Sequence, residues 1–221
     1  MALERELKFS SPEGLVPARE ELDQALAPTG YAVAERGLER QVDVYYDDAA
    51  ASLQRAGLAL RVRARGGQRL ATLKSRGSVL DGVHERDELE AELAADAPPP
   101  WPAPLLAQLP TADPAALAPR MVIATDRHLF VVLRRGAPVA ELAFDEVVCR
   151  PASEVEGEYA IDEALFHEVE LEALGRGAAG APLTAAELRA IGEALQALLP
   201  LYPSDISKLE RAASLLAPFA G

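Results

Sequence analysis

Hydrophobic and polar positions alternate with a period of two over most of this chain, and helical character is confined to a few segments. Residues 2–9 read as a strand, and because successive side chains of a strand point to opposite faces, Glu4, Glu6 and Lys8 share one side of it. Residues 17–27 have helical composition and are closed by Pro28 and Gly30. A long strand is predicted over 31–46, after which Asp47 or Asp48 caps a short helix that Gly57 stops. In 58–65, Leu58, Leu60 and Val62 alternate with Ala59, Arg61 and Arg63; Gly66-Gly67 then makes a hairpin turn into 68–76. Alternation resumes at 83–93. The Pro/Ala-rich stretch 94–119 reads as an internal connection with one or two short helices near Leu105 and Leu117. Strands are predicted at 121–134, 138–149 and 159–174. Thr184, with Glu187 three residues on, forms a capping box that opens a helix through Leu199, and a last short helix runs from Ser204 to Leu216.

The polar faces of these strands are charged. Glu4, Glu6 and Lys8 alternate on the first; Arg61 and Arg63, then Lys74 and Arg76, on a hairpin; His84, Arg86, Glu88, Glu90 and Glu92 on the next; Glu168, Glu170 and Glu172 near the end. A solvated sheet face explains any one of them. Together they resist that explanation, because like charges facing each other across strands destabilise a sheet. The hairpin bases call for an anion and the glutamate row for a cation, as in a metal-bound phosphate compound. The other faces carry Leu60, Val62, Leu73, Leu89, Val169 and Leu171. The expected fold is therefore a barrel with an ion-binding lumen and an apolar outer wall covered by helices.

Composition narrows the partners. A chain of 221 residues, 49% hydrophobic and 26% charged, is long enough for a substantial core. No apolar run approaches the roughly 18 residues needed to cross a bilayer, and the charged N-terminus lacks a secretion-type apolar core, so a cytoplasmic location is expected. The net charge of −13 argues against nucleic-acid or anionic-membrane binding. Cys149 is the only cysteine, which excludes an internal disulfide and a multi-thiolate metal site. His84, His128 and His167 are scattered over different strands and are read as structural.

The ordered motifs are EREL-K (Glu4, Glu6, Lys8), YYDD (45–48), LALRVR (58–63), LKSR (73–76), RDELE (86–90), TDR (125–127), AELAFDE (140–146), EVELE (168–172) and SKLER (207–211). In order and spacing they resemble the CYTH superfamily, also called triphosphate tunnel metalloenzymes, over nearly the whole chain. The resemblance implies a single domain over 1–221, of α+β class: an eight-stranded antiparallel barrel with a charged interior, flanked by helices. Its tunnel would bind a linear triphosphate with divalent metal. Residue by residue, it implies metal ligation by Glu4, Glu6, Asp145, Glu168 and Glu170, with Glu88, Glu90 and Glu172 as further acids. Phosphate contacts, and the catalytic basic set, would come from Lys8, Arg61, Arg63, Lys74 and Arg76, with Arg86 and Arg127 as additional contacts. Lys208 and Arg211 would lie on a plug helix at about 204–216, near one tunnel mouth. The segment after Thr125 reads Asp-Arg-His-Leu-Phe, less basic than in many relatives, so Arg134 or Arg135 is expected to substitute for one phosphate contact. YYDD stands where YYDT is more usual.

Hard oxygen ligands suit Mg²⁺ or Mn²⁺. The activity that follows from the resemblance is metal-dependent hydrolysis of a triphosphate, foremost inorganic tripolyphosphate to pyrophosphate and phosphate. The alternatives are a non-catalytic polyphosphate-binding module, a class IV adenylyl cyclase, and a thiamine triphosphatase using Trp101 and Tyr31 as an aromatic mouth. Core packing is the competing reading of Trp101 and Tyr31, as strand packing is of Tyr45 and Tyr46. Many relatives precede a CHAD domain, so a CHAD-type partner is expected if the sequence is a piece of a longer protein. The apolar stripe of 184–199 (Leu188, Ile191, Leu195, Leu198) is expected to pack on the barrel, with a homodimer face as the competing use.

Overall fold

In the computed structural model, residues 2–94, 101–110, 113–152, 163–175 and 182–216 are described. Ten strands form: β1 (Ala2–Ser10), β2 (Tyr31–Asp47), β3 (Leu58–Arg65), β4 (Gln68–Ser75), β5 (Ser78–Leu80), β6 (Val83–Leu93), β7 (Ala118–Arg134), β8 (Ala137–Pro151), β9 (Ala164–Ala173) and β10 (Tyr202–Pro203). Eight of them close on themselves in the order β1-β9-β8-β7-β2-β3-β4-β6, with β6 pairing back onto β1. Every pairing is antiparallel. The eight-stranded antiparallel architecture is thus as expected, though the ring is not a perfect barrel. The β2–β7 ladder shifts register between Glu35 and Gly37 and again between Tyr45 and Tyr46. β5 and β10 are short additions to β6 and β1 that the sequence pattern did not announce.

Closure sorts each strand's alternate residues into a bore and an outer wall. On the outer wall, Leu7, Phe9, Val169 and Leu171 meet two helices, α1 (Arg19–Leu26) and α4 (Ala185–Leu198), through Leu22, Leu26, Leu188, Ile191 and Leu195. The amphipathic stripe of α4 is therefore spent on the sheet. Its start is the expected capping box: Thr184 Oγ1 accepts from the Glu187 amide while the Glu187 carboxylate accepts from Thr184 N–H. Gly192 lets α4 approach closely, since a Cβ there would lie 2.8 Å from Leu7 Cδ1 and 3.0 Å from Phe9 Cζ.

A second outer layer covers β3, β4 and β6. Short helices α2 (Ser52–Arg55) and α3 (Ala103–Leu106) place Leu53 and Leu105 on Leu60, Val62, Ala71 and Leu73. Asp47 and Asp48 bind the amides at the start of α2, which is the expected capping role. Trp101 belongs to this layer, with Tyr46 edge-on to it at 5.0 Å.

A third apolar cluster lies inside the ring. Tyr45, Ile123, Val147, Cys149 and Phe166 face inward, and α5 (Lys208–Leu216) seals them with Ala212 and Leu216. The last helix therefore does more than approach a mouth: it plugs one end of the bore with an apolar stopper. It begins at Lys208, later than the expected Ser204, because residues up to Ser207 serve as its lead-in and N-cap. The strand expected from 159 is observed from Ala164; residues 159–162 lie outside the described set. No helix among the described residues is long and apolar enough to cross a membrane.

Candidate functional site

Above the apolar stopper the bore is charged, holding a cavity of about 260 Å³ whose walls come from all eight strands of the ring, β1, β2, β3, β4, β6, β7, β8 and β9, with Lys208 entering from α5. Strand register explains the convergence. Asp145 stands opposite Glu168 and Arg127 across β8, while Lys8 stands opposite Glu170, Glu6 opposite Glu172, and Glu4 opposite Arg86.

At the plugged end, the Lys208 ammonium lies 2.7 Å from Asp145, 2.9 Å from Glu168 and 2.8 Å from Glu170. Arg127 forks across the same group, its Nε donating to Asp145 at 2.8 Å and its Nη2 to Glu170 at 2.7 Å. Burial opposes ionisation of Glu170, but Lys208, Arg127 and Lys8 overcome it and hold the carboxyl well below its usual range. Glu168 goes the other way: burial raises it to about 7, with the neighbouring Glu170 charge adding and Lys208 only partly offsetting. Burial disfavours the Lys208 ammonium, yet the three carboxylates keep it firmly protonated.

Midway along the bore, Lys74 Nζ reaches Glu4 at 2.9 Å and Glu88 at 3.1 Å, and Arg86 bridges Glu4 and Glu6 at 2.6 Å each. Against the burial that raises it, Glu4 is held down to about 2 by Lys74 and Arg86. Lys8 Nζ sits 3.2 Å from Glu6. Arg61 and Arg63 are anchored by a residue absent from the sequence-derived set, Asp43. Arg63 donates twice to it at 2.8 Å and Arg61 lies 3.4 Å away.

The sequence pattern calls for something anionic beside the hairpin bases, and protein acids stand there: Asp43 and Glu88 beside Arg61, and Glu4 beside Lys74. Glu172 lies opposite Glu6 on the cavity wall. Burial, then the charges of Glu4 and Glu6, push it up to about 8.

Of the sequence-derived residues, Glu4, Glu6, Lys8, Arg61, Arg63, Lys74, Arg86, Glu88, Glu90, Arg127, Glu170, Glu172 and Lys208 line the cavity. Asp145 and Glu168 are buried behind Lys208. Arg211 lies on the stopper side, half-buried, its guanidinium over Phe166 and donating to Ser204. Arg76 is not in the bore: β4 ends at Ser75, so the alternation that would point Arg76 inward stops one residue short, and it is exposed. Arg134 does not substitute as a phosphate contact either; it pairs with Glu187 on the outer wall, and Arg135 occupies the β7–β8 turn. Tyr31 and Trp101 are core residues of the outer layers, not a tunnel mouth. His84 bonds to the Ser204 carbonyl and His128 to Glu35, while His167 lies 3.5 Å from Glu146; the three join no metal-type cluster among the described residues.

Beyond Asp43, the sequence reading missed Gln41 and Thr125. They are paired across β2 and β7 on the inward side, each 1% exposed, and their polar side-chain atoms have no hydrogen-bond partner among the described residues. The available signal was the alternation Glu39, Gln41, Asp43 on β2, obscured by its single-charge steps.

The donor set fits a hard divalent cation. One carboxylate oxygen from each of Asp145, Glu168 and Glu170 lies within 4.8 Å of the others. Clustered carboxylate oxygens are the donor type that oxygen-preferring Mg²⁺ or Mn²⁺ takes.

The sequence profile of the CYTH domain matches residues 2–213. Comparison with curated proteins finds no match. Among solved structures, HpAC1 from Hippeastrum, described as a candidate adenylyl cyclase with a dominant triphosphatase activity, superposes with a TM-score of 0.60 at 19% identity, covering 96% of this chain and 95% of its own. A candidate adenylate cyclase from Bacillus halodurans gives 0.51 at 16% identity, covering 96% of this chain and 98% of its own. At these identities the likeness is one of fold.

Proposed function

We propose, from the premise that this chain belongs to the CYTH domain family, that it is a divalent-metal-dependent hydrolase of triphosphate compounds, with inorganic tripolyphosphate as substrate and pyrophosphate and phosphate as products. The observation that carries this reading is the convergence of Lys8, Arg61, Arg63, Lys74, Arg86 and Arg127 with carboxylates in one enclosed cavity. Phosphoanhydride cleavage needs little covalent help from a protein; it needs the chain held in line and its growing charge neutralised. Arg61, Arg63 and Arg86 present forked donors to phosphate oxygens, and Lys8 and Lys74 add point charges. Glu4, Glu6, Asp145, Glu168 and Glu170 would hold the metal, with Glu172 beside them. A bound divalent metal would supply charge neutralisation and Lewis acidity there.

One feature favours an inorganic chain over a nucleoside or thiamine triphosphate, and another favours hydrolysis. Tyr45 is the only aromatic among the described residues lining the cavity, and it is engaged with Arg61 beside the apolar stopper. The triphosphatase activity named for the Hippeastrum structure points to hydrolysis ahead of cyclisation.

The test is a panel of tripolyphosphate, ATP and thiamine triphosphate, each with Mg²⁺, Mn²⁺ or chelator. Expected is equimolar phosphate and pyrophosphate from tripolyphosphate, abolished by chelation. Cyclic AMP from ATP would replace this reading with a cyclase, and tight polyphosphate binding without turnover would replace it with a binding module.

A further inference from the structure

The chain contains three lysines, Lys8, Lys74 and Lys208, and all three line the bore; every other basic side chain of the Lys/Arg type is arginine. The two residue types do different work here. Arg127 is locked to Asp145 and Glu170 by two directed bonds from a rigid fork. Lys208 reaches the same carboxylates, plus Glu168, as a compact charge on a flexible stem.

We propose that Lys208 is an exchangeable counterion that makes divalent-cation binding at Asp145, Glu168 and Glu170 conditional on triphosphate. The inference rests on the triphosphatase reading. Its ammonium lies 2.7–2.9 Å from an oxygen of each of three carboxylates, which offer one oxygen apiece within 4.8 Å of one another, a span that one hard cation bridges. An ammonium and a divalent cation cannot both sit among the same oxygens, so the metal must displace Lys208. Lys208 is 6% exposed, and a buried ammonium moved away from its carboxylates needs another anion. It lines the cavity, so a triphosphate seated there offers its oxygens as that anion.

The helix permits the exchange. Lys208 is the first residue of α5, whose start is fixed by the Ser207–Glu210 box and whose far side is anchored by Ala212 and Leu216. The stem can therefore swing without the plug leaving. Arg127 stays on Asp145 and Glu170 throughout, keeping them aimed. Metal alone pays for displacing a buried cation, whereas metal with triphosphate does not; by linkage each ligand tightens the other by the same factor.

The experiment uses the full chain and Mn²⁺ binding followed by electron paramagnetic resonance, with and without a non-hydrolysable imido analogue of tripolyphosphate. K208M is expected to bind Mn²⁺ alone about tenfold tighter than the native chain, and to lose most of the tightening that the analogue gives. Equal Mn²⁺ affinity in the two proteins overturns the proposal. The native chain provides a second readout should K208M fail to fold. With lysine ¹⁵N-labelled at Nζ, its three ammonium signals report on the bore directly. Expected is a Lys208 signal that moves with Mg²⁺ plus analogue and stays put with Mg²⁺ alone; movement with Mg²⁺ alone overturns the proposal. Should neither metal nor analogue bind the native chain, the triphosphatase reading itself fails, and this inference with it.

Discussion

A carboxylate sealed between two guanidiniums is the kind of residue whose loss is felt by everything around it. Asp43 is 0% exposed and holds both Arg61 and Arg63 on the β2–β3 wall. Removing one member of a buried pair leaves the other charge uncompensated, so D43A is expected to lower unfolding stability by about 3–5 kcal/mol in urea titration. An unchanged midpoint would mean that the arginines find other partners. Arg127 tests geometry instead of charge: R127K keeps the charge and loses the fork across Asp145 and Glu170. Its metal-dependent phosphate release is expected to fall about tenfold or more while the fold persists by circular dichroism. Residues of this kind were legible in the sequence where charges recur at every second position, as in Arg61 and Arg63 or Glu168 and Glu170. Asp43 escaped because Gln41 and Tyr45 flank it on its face, leaving one acid where the pattern looks for a row. Arg76 was misplaced for the converse reason: the alternation continues in sequence after the strand has ended at Ser75.

Elements with local signals were read closely, and elements set by tertiary contacts were not. Thr184 and Glu187 announce the start of α4 by themselves, and Gly66-Gly67 announces the β3–β4 turn, where both glycines take positive φ. Nothing local announces β5 or β10, which exist only because β6 and β1 offer them an edge. The stopper role of α5 depends on strands from both halves of the chain, so its periodicity shows an amphipathic helix without showing where its apolar face goes. Helix-on-sheet contact is sharpest at Gly192, beneath which Leu7 and Phe9 leave no room. G192L would force α4 off β1 and is expected to destabilise by about 1–3 kcal/mol, read as a lowered denaturation midpoint. A neutral result would show that α4 docks more loosely than the 2.8 Å approach implies.

At the scale of the whole molecule, the bore stores electrostatic tension that pH should expose. Glu4, held down to about 2 from 4.5, contributes stability that is full above its unfolded value and is lost as pH falls from 4.5 towards 2. Glu172 has the opposite sign. Raised to about 8, it keeps its proton in the fold while the unfolded chain ionises, so its contribution is full below 4.5 and disappears as pH rises to 8. Glu168, raised to about 7, adds to that alkaline loss. In chelator, the melting temperature is therefore expected to peak near pH 5 and to decline towards pH 8, with an effect on the order of a few kcal/mol. E172Q should flatten the decline, because the amide cannot ionise beside Glu4 and Glu6. With the imido analogue of tripolyphosphate present, Mg²⁺ should raise the melting temperature more at pH 8 than at pH 5, since a cation in the bore stabilises the ionised carboxylates that the fold otherwise resists. An E172Q protein with the native slope would place the tension elsewhere. Equal Mg²⁺ stabilisation at both pH values would separate cation binding from these acids, and with it the link between an enclosed, acid-rich bore and metal-dependent chemistry on a triphosphate.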